Sequence, residues 1–171
     1  MRETPPPISI IIVTKDIGRD LSPIFEQSLI YVEYFDDVWV INSGDNPNTE
    51  PMAKRHNATF KSFHWNGLYP KKRQWCLDNI PTKHNWVFFL DADELMFPDI
   101  TQEISQLLRT LDIEQYAGFF VRSGYIWDGQ PLKHGLKNNK IVLLHKHLME
   151  YPIINDLGCK IMGEIEGHYQ P

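Results

Sequence analysis

The sequence predicts a single α/β domain built on an open, mostly parallel sheet flanked by helices. Three observations predict it. Short apolar or β-branched runs alternate with segments of helical periodicity, in the order strand, helix, strand, helix, strand, helix, strand. The runs are apolar nearly throughout, as in parallel strands covered on both faces. They end abruptly in polar clusters, and open α/β sheets place their ligands beyond such strand ends. The chain of 171 residues is long enough for one domain with a real core.

Pro5-Pro6-Pro7 closes an extended lead-in over residues 1–7. Ile8-Ser9-Ile10-Ile11-Ile12-Val13 is the first strand, and it ends in Thr14-Lys15-Asp16. A helix follows, with Ser22 as the expected N-cap and Pro23 at the first helical position. Leu21, Phe25, Leu29 and Val32 form its apolar stripe. Asp37-Val38-Trp39-Val40-Ile41 is the second strand and runs into Asn42-Ser43-Gly44-Asp45. A short helix around Pro51 to His56 leads to a third strand near Ala58 to Phe63. Lys71 to Asn79 reads as a helix with a basic start, Lys71-Lys72-Arg73, and Pro81 stops it.

The chain centres on Asn85-Trp86-Val87-Phe88-Phe89-Leu90-Asp91-Ala92-Asp93-Glu94. The apolar run is too short for a helix and rich in aromatics, so it reads as a buried strand. It stops at three acids within four residues. If the backbone stays extended there, Asp91 and Asp93 point to one side. Two adjacent carboxylates repel, and a shared cation relieves them; hard oxygen ligands suit Mg²⁺ or Mn²⁺ shared with phosphates.

After the acids, Pro98-Asp99 opens another helix, with Asp99 and Gln102 resembling a capping box and Ile104, Leu107, Leu108 and Leu111 as its stripe. Ala117 to Val121 is a strand, and residues 123–140 read as a long loop with little regular structure. Ile141 to Leu144 is the next strand, running into His145-Lys146-His147. The two histidines share a strand face, but a pair without a third ligand reads as surface rather than as a zinc site. The tail, Glu164 to Pro171, is dense in polar groups and has no closing helix. We expect either a longer natural chain or a tail that orders when a ligand binds.

Composition excludes some classes. A net charge of −5 argues against broad nucleic-acid binding, and the basic cluster suits a phosphate rather than a duplex. Two cysteines, Cys76 and Cys159, without metal-like spacing fit a reducing compartment. No stretch reaches the length of a membrane span and the start lacks a signal peptide. A cytoplasmic protein, at most peripheral to the membrane, is expected.

Taken together, Ile8 to Asp16, Val40 to Asp45, Lys72-Arg73-Gln74 and Phe88 to Glu94 resemble a family 2 glycosyltransferase of the GT-A fold, a Rossmann-like sheet. The resemblance covers residues 8–111, the nucleotide-sugar-binding half, and leaves residues 112–171 as the acceptor-side half. It implies a nucleoside-diphospho-sugar donor, a UDP-sugar foremost, and inverting transfer to a glycan, lipid-linked or other hydroxyl acceptor. It implies that Thr14, Lys15, Asp16 and the loop Asn42, Ser43, Gly44 and Asp45 hold the nucleoside. Lys72, Arg73 and Asp91 would lie near base or diphosphate, and Asp93 would be the principal ligand of a Mn²⁺ or Mg²⁺ ion. Asn42 departs from the family pattern, which carries an acid there.

A cation would neutralise the leaving diphosphate, and a carboxylate would take the acceptor's proton. Candidate bases are Glu166, then Glu164 and Asp156, with Asp128 behind them. Glu166, Glu164 and Asp156 share a polar segment with His168, which is expected to complete the metal's ligands. Two alternatives remain, a nucleotidyltransferase and a catalytically silent nucleotide-binding domain. Against the first, Thr14-Lys15-Asp16-Ile17-Gly18 is not a Gly-rich basic loop. An aspartate-nucleophile phosphatase would carry its Asp-x-Asp on the first strand, not the fourth.

Overall fold

A computed structural model describes residues 4–15, 17–18, 21–67, 71–110, 113–127, 130–132, 134 and 138–149. The elements run β1 (Ile8–Thr14), α1 (Ser22–Val32), β2 (Val38–Asn42), α2 (Thr49–Arg55), β3 (Thr59–Ser62), α3 (Lys72–Asn79), β4 (Trp86–Asp91) and α4 (Pro98–Thr110). A short 3₁₀ turn (Ile113–Gln115), β5 (Gly118–Ser123), β6 (Ile126–Trp127), β7 (Gln130–Pro131) and β8 (Asn138–His145) follow.

Six strands form one sheet in the order β3-β2-β1-β4-β8-β5. β1 pairs in parallel with both β2 and β4, and β2 in parallel with β3. β8 is antiparallel to β4 and to β5. The expected open, mostly parallel α/β sheet is therefore observed, with one antiparallel strand inserted between β4 and β5. The sheet order reverses direction at β1 and β4, which makes their C-terminal ends the place where a crevice opens.

Each face of the sheet has its own core. On one side Ile8, Ile10, Ile12, Phe88 and Leu90 pack with Phe25, Leu29 and Val32 of α1, Ala53 of α2 and Ile104 of α4. On the other, Ile11, Ile41, Val87 and Phe89 pack with Cys76 of α3 and Ile80 just beyond it. This is why β1 and β4 lack alternation: both faces are covered. β8 breaks its own alternation. Phe119 faces Leu143 while Phe120 faces Ile141, so Val142 is an extra residue, and Val142 and Leu143 both enter the α1 side.

Some local expectations change. Leu21 and Ser22 both donate their N–H to the Gly18 carbonyl, so the helix turn starts early and Leu21, not Ser22, is the N-cap residue of α1. Leu21 is exposed, while Phe25, Leu29 and Val32 of its expected stripe are buried. Asp99 lies inside the first turn of α4 rather than ahead of it, so it does not cap that helix as a box residue. Ile104 is buried and Leu107 and Leu108 pack beside it, whereas Leu111 lies outside the described residues. The expected long loop carries the paired strands β6 and β7.

At the N-terminal ends of the strands, Asp37 ties the sheet together. It accepts from Ser9 Oγ at 2.5 Å, from the Trp39 indole at 2.7 Å and from the Lys83 backbone N–H at 2.7 Å. That leaves the opposite, C-terminal edge to carry the site.

Candidate functional site

The polar ends of β1, β2 and β4 do converge. The Ala92 N–H reaches the Val13 carbonyl at 3.2 Å, and the Ser43 N–H reaches the Thr14 carbonyl at 3.0 Å. One expectation fails here. β4 ends at Asp91, and Ala92 and Asp93 form a turn closed by the Glu94 N–H on the Asp91 carbonyl at 2.9 Å. The period-two argument that set Asp91 and Asp93 side by side needs extended backbone, and the turn removes it. Asp93 is exposed on that turn, while Asp91 is half-buried.

Asp91 is instead the hub of an ion-pair cluster. Arg73 Nη2 lies 2.8 Å from Asp91 Oδ1, and Lys140 Nζ lies 3.4 Å from Asp91 Oδ2. Lys140 Nζ also lies 2.5 Å from Glu94 Oε1. The Asp91 backbone N–H donates to Glu94 Oε2 at 3.2 Å, so the acid three residues on folds back over the strand end. The Arg73 guanidinium stands 5.5 Å from the centre of the Phe89 ring, which supports it from below. Burial works to lower the Lys140 pKa, but its bond and attraction to Glu94 and Asp91 outweigh that and hold the ammonium above its ordinary value.

Lys72 starts α3 and reaches back across β1. Its Nζ donates to the Thr14 carbonyl at 2.6 Å. Burial is the main cause that pushes its pKa below the usual lysine value, helped by Lys15 and opposed by Cys76 and Asp91. Cys76, one turn further along α3, is free and buried; burial pushes its thiol up to about 12.

Asn42 has a local job. Its Nδ2 donates to the Gly44 carbonyl at 2.7 Å and its Oδ1 accepts the Gly44 N–H at 3.2 Å. An amide can both donate and accept, and a carboxylate cannot. An amide at this position thus has a structural use: it closes the turn after β2. Thr14 and Asn42 are buried, Ser43 and Gly44 are half-buried, and Lys15 and Asp45 are exposed at the crevice edge. Asn46 continues the loop and bonds the Ile17 carbonyl, joining the segments after β1 and β2.

Of the residues expected to hold Mn²⁺ or Mg²⁺, Asp93 is exposed on its turn, His168 lies outside the described residues, and Asp91 is engaged by cations. Both Asp91 oxygens already face cationic donors, Arg73 and Lys140. No group of three metal-ligating side chains exists among the described residues. His145 and His147 stack edge-on with ring centres 5.8 Å apart and belong to no such group. Asp16, Asp128, Asp156, Glu164, Glu166 and His168 lie outside the described residues, as does Cys159.

Of the named residues, Thr14, Asn42, Ser43, Lys72, Arg73 and Asp91 come together at one sheet edge. Lys140 and Glu94 complete the cluster, and neither was assigned a role from the sequence. Glu94 was visible as a third acid. Lys140 had no spacing signal, because its place beside Asp91 depends on β8 entering next to β4.

No protein-family model matches the chain, and no curated protein matches it. Solved structures do. The chain is similar to a 4-diphosphocytidyl-2C-methyl-D-erythritol synthase from Anaerococcus prevotii, with 12% identity, a TM-score of 0.53, and 84% of this chain and 71% of that one covered. It is also similar to a cytidylyltransferase from Leptospira borgpetersenii, with 13% identity, a TM-score of 0.49, and 67% and 53% covered. S. aureus TarS matches with 12% identity, a TM-score of 0.45, and 65% and 34% covered. The chain thus spans about half the length of the Leptospira protein. At such identity the Anaerococcus likeness shows a shared fold, the Rossmann-like α/β sheet, and nothing finer. Among the described residues no helix is long and apolar enough to cross a membrane.

Proposed function

We propose that this chain is a transferase acting on a nucleotide-activated substrate, and that the transferred group is a sugar from a nucleoside-diphospho-sugar. The observation that carries the reading is the meeting of Lys72, Arg73 and Lys140 at the C-terminal ends of β1 and β4. Three cations at a sheet edge suit a diphosphate, whose charge grows as its bond to the sugar breaks. The loop Asn42 to Asp45 then faces the nucleoside. The resemblance of Phe88 to Glu94 and Lys72-Arg73 to family 2 glycosyltransferases favours sugar transfer with inversion.

In that reading the acceptor hydroxyl attacks the anomeric carbon from the face opposite the diphosphate. Its oxygen gains the bond, the diphosphate leaves with the electron pair, and a carboxylate takes the proton. Glu166 is the first choice for that carboxylate, then Glu164 and Asp156. Replacing Glu166 with Gln keeps the shape and removes the base. Turnover is expected to fall about a hundredfold, with donor affinity unchanged.

A second reading is nucleotidyl transfer, supported by the fold shared with a diphosphocytidyl-methylerythritol synthase. The product separates the two. Sugar transfer releases a nucleoside diphosphate, and nucleotidyl transfer from a triphosphate releases pyrophosphate. The chain is incubated with nucleoside-diphospho-sugars in one arm and with nucleoside triphosphates plus sugar phosphates in the other. Nucleoside diphosphate release in the first arm supports the proposal. Pyrophosphate release in the second arm alone replaces it, and release in neither arm leaves a silent binding domain.

A further inference from the structure

The acids at the end of β4 are already satisfied, and what satisfies them is a charge carried by the chain. Lys140 comes from β8, the antiparallel strand between β4 and β5. Its ammonium sits between Glu94 Oε1 at 2.5 Å and Asp91 Oδ2 at 3.4 Å. Arg73 holds the other Asp91 oxygen at 2.8 Å, and the Asp91 backbone N–H holds the other Glu94 oxygen at 3.2 Å. All four carboxylate oxygens of the two acids therefore have a donor. A position between two carboxylates beside the phosphate site is where a hard divalent ion would sit.

We propose that Lys140 is a built-in counter-ion standing in place of a divalent metal, and that with Arg73 it binds the diphosphate of the substrate without one. The proposal rests on the nucleotide-transfer reading above and specifies how that site holds its ligand. It departs from the family resemblance, which implies a metal on Asp93.

The charge count supports it. Arg73 and Lys140 match Asp91 and Glu94 one for one, and Lys72 adds a third positive charge within electrostatic reach of Asp91. Lys15 lies within electrostatic reach of Lys72 as well, so among the described residues the paired acids leave positive charge over for a phosphate. Admitting a divalent ion would mean pulling Lys140 off Glu94 and exposing two like charges to each other. The donor count supports it as well. A lysine ammonium has three N–H groups. Glu94 and Asp91 take two, and the side chain keeps 31% of its surface exposed, which leaves one donor for a phosphate oxygen.

The pairing of β8 with β4 gives the arrangement a structural cause. Trp86 pairs with His145 and Phe88 with Leu143, and the same antiparallel register continued along both strands sets Lys140 opposite Asp91.

The test is calorimetric titration of uridine, cytidine, guanosine and thymidine diphosphates, each in EDTA and in Mn²⁺. Mn²⁺ alone is titrated separately. Wild type, Lys140→Met and Lys140→Arg are compared, with melting curves as the folding control. At least one nucleotide is expected to bind wild type in EDTA within about threefold of its affinity in Mn²⁺. Lys140→Met is expected to lose about tenfold or more of that binding in EDTA, and Lys140→Arg to retain most of it. Mn²⁺ alone is expected to bind Lys140→Met more tightly than wild type, because Asp91 and Glu94 are then unmatched. A misfolded variant cannot produce that gain.

Nucleotide binding that requires Mn²⁺ and ignores Lys140→Met overturns the counter-ion proposal and leaves the transfer reading standing. Mn²⁺ binding that is equal in wild type and Lys140→Met overturns it too. Failure of all four nucleotides, with and without Mn²⁺, overturns both.

Discussion

Arg73 and Asp91 lie 2.8 Å apart at the junction of α3 and β4, with the guanidinium also resting over the Phe89 ring. The pair joins the basic start of a helix to the acidic end of the central strand. About a third of the surface of each side chain stays exposed, so solvent screens the attraction and its worth to stability is small. In the proposed reading its worth to binding is larger, because Arg73 is fixed in place before a phosphate arrives.

Arg73→Ala is therefore expected to cost only about 1 kcal/mol of stability. Nucleotide affinity should drop about tenfold or more, as for loss of a charge-assisted bond. Arg73→Lys keeps the charge but loses the planar fork and its seat on Phe89, so it should fall between the two. Denaturant melts and calorimetry on the same samples check both numbers. A large stability loss with unchanged affinity would make Arg73 a structural residue.

The fold was legible because its central strands are buried on both faces. Ile8 to Val13, apolar but for Ser9, and Trp86 to Leu90 are short, nearly unbroken apolar runs rich in β-branched or aromatic residues, as strands covered on both faces carry. The polar clusters that end them meet at one sheet edge, as their place at the strand ends implied. Two things were not legible. Whether the backbone stays extended past Asp91 is a turn decision, and Asp91-Ala92-Asp93 has turn-tolerant aspartates but no Gly or Pro to announce it. The partner of Asp91 comes from 49 positions along the chain. That distance is bridged by the order of β8 in the sheet, and local spacing holds no trace of it. Asn42 was read only as a departure from the pattern of the resembled family, whereas its amide makes two bonds to Gly44 that an acid could not make together.

Ser28 offers a stability test that leaves the site alone. It is fully buried in α1, and its hydroxyl has no hydrogen-bond partner among the described residues. A buried, unpaired hydroxyl costs free energy that the folded chain does not recover. Alanine is also the better helix former. Ser28→Ala is expected to stabilise the protein by about 1 kcal/mol, or about 2–4 °C in Tm. A lower Tm in the scanning calorimeter would mean that the hydroxyl has a partner after all.

Gly118 opens β5 against the irregular stretch of β8. A Cβ added there would stand 3.1 Å from the Leu143 carbonyl oxygen and 3.4 Å from Ile141 Cγ2. The oxygen belongs to backbone in the middle of the sheet, so it has little room to move. Gly118→Ala is expected to destabilise by about 1–3 kcal/mol. Because the strain falls on the strand that carries Lys140, nucleotide binding in EDTA should weaken with it. Loss of stability with full affinity would show that the placement of Lys140 tolerates a shift in β8.

Lys72 and Lys140 are shifted in opposite directions, and this separates their effects at alkaline pH. Burial holds the Lys72 pKa below its ordinary 10.5, so the folded state binds that proton less tightly than the unfolded chain. Below the folded pKa the buried charge is a standing penalty, and it is relieved as pH rises through the folded pKa towards 10.5. Lys140 is the reverse. Its pKa is raised above 10.5, so its contribution is fully present below that value and is lost only as pH rises through the folded pKa. Between neutrality and 10.5 the first of these charges to disappear is therefore that of Lys72. Nucleotide affinity is expected to decline on an alkaline limb below the ordinary lysine value, while the Lys140 pairs hold. Lys72→Arg should remove that limb, since guanidinium does not titrate there. Lys72→Met should give weak, pH-independent binding and a Tm at pH 7 no lower than wild type, because a half-buried charge has gone and the Thr14 carbonyl still accepts from Ser43. Titrations at intervals from pH 7 to 10.5 with melting curves at each pH decide it. A limb that persists in Lys72→Arg would assign the titration to another group and would remove Lys72 from the diphosphate site.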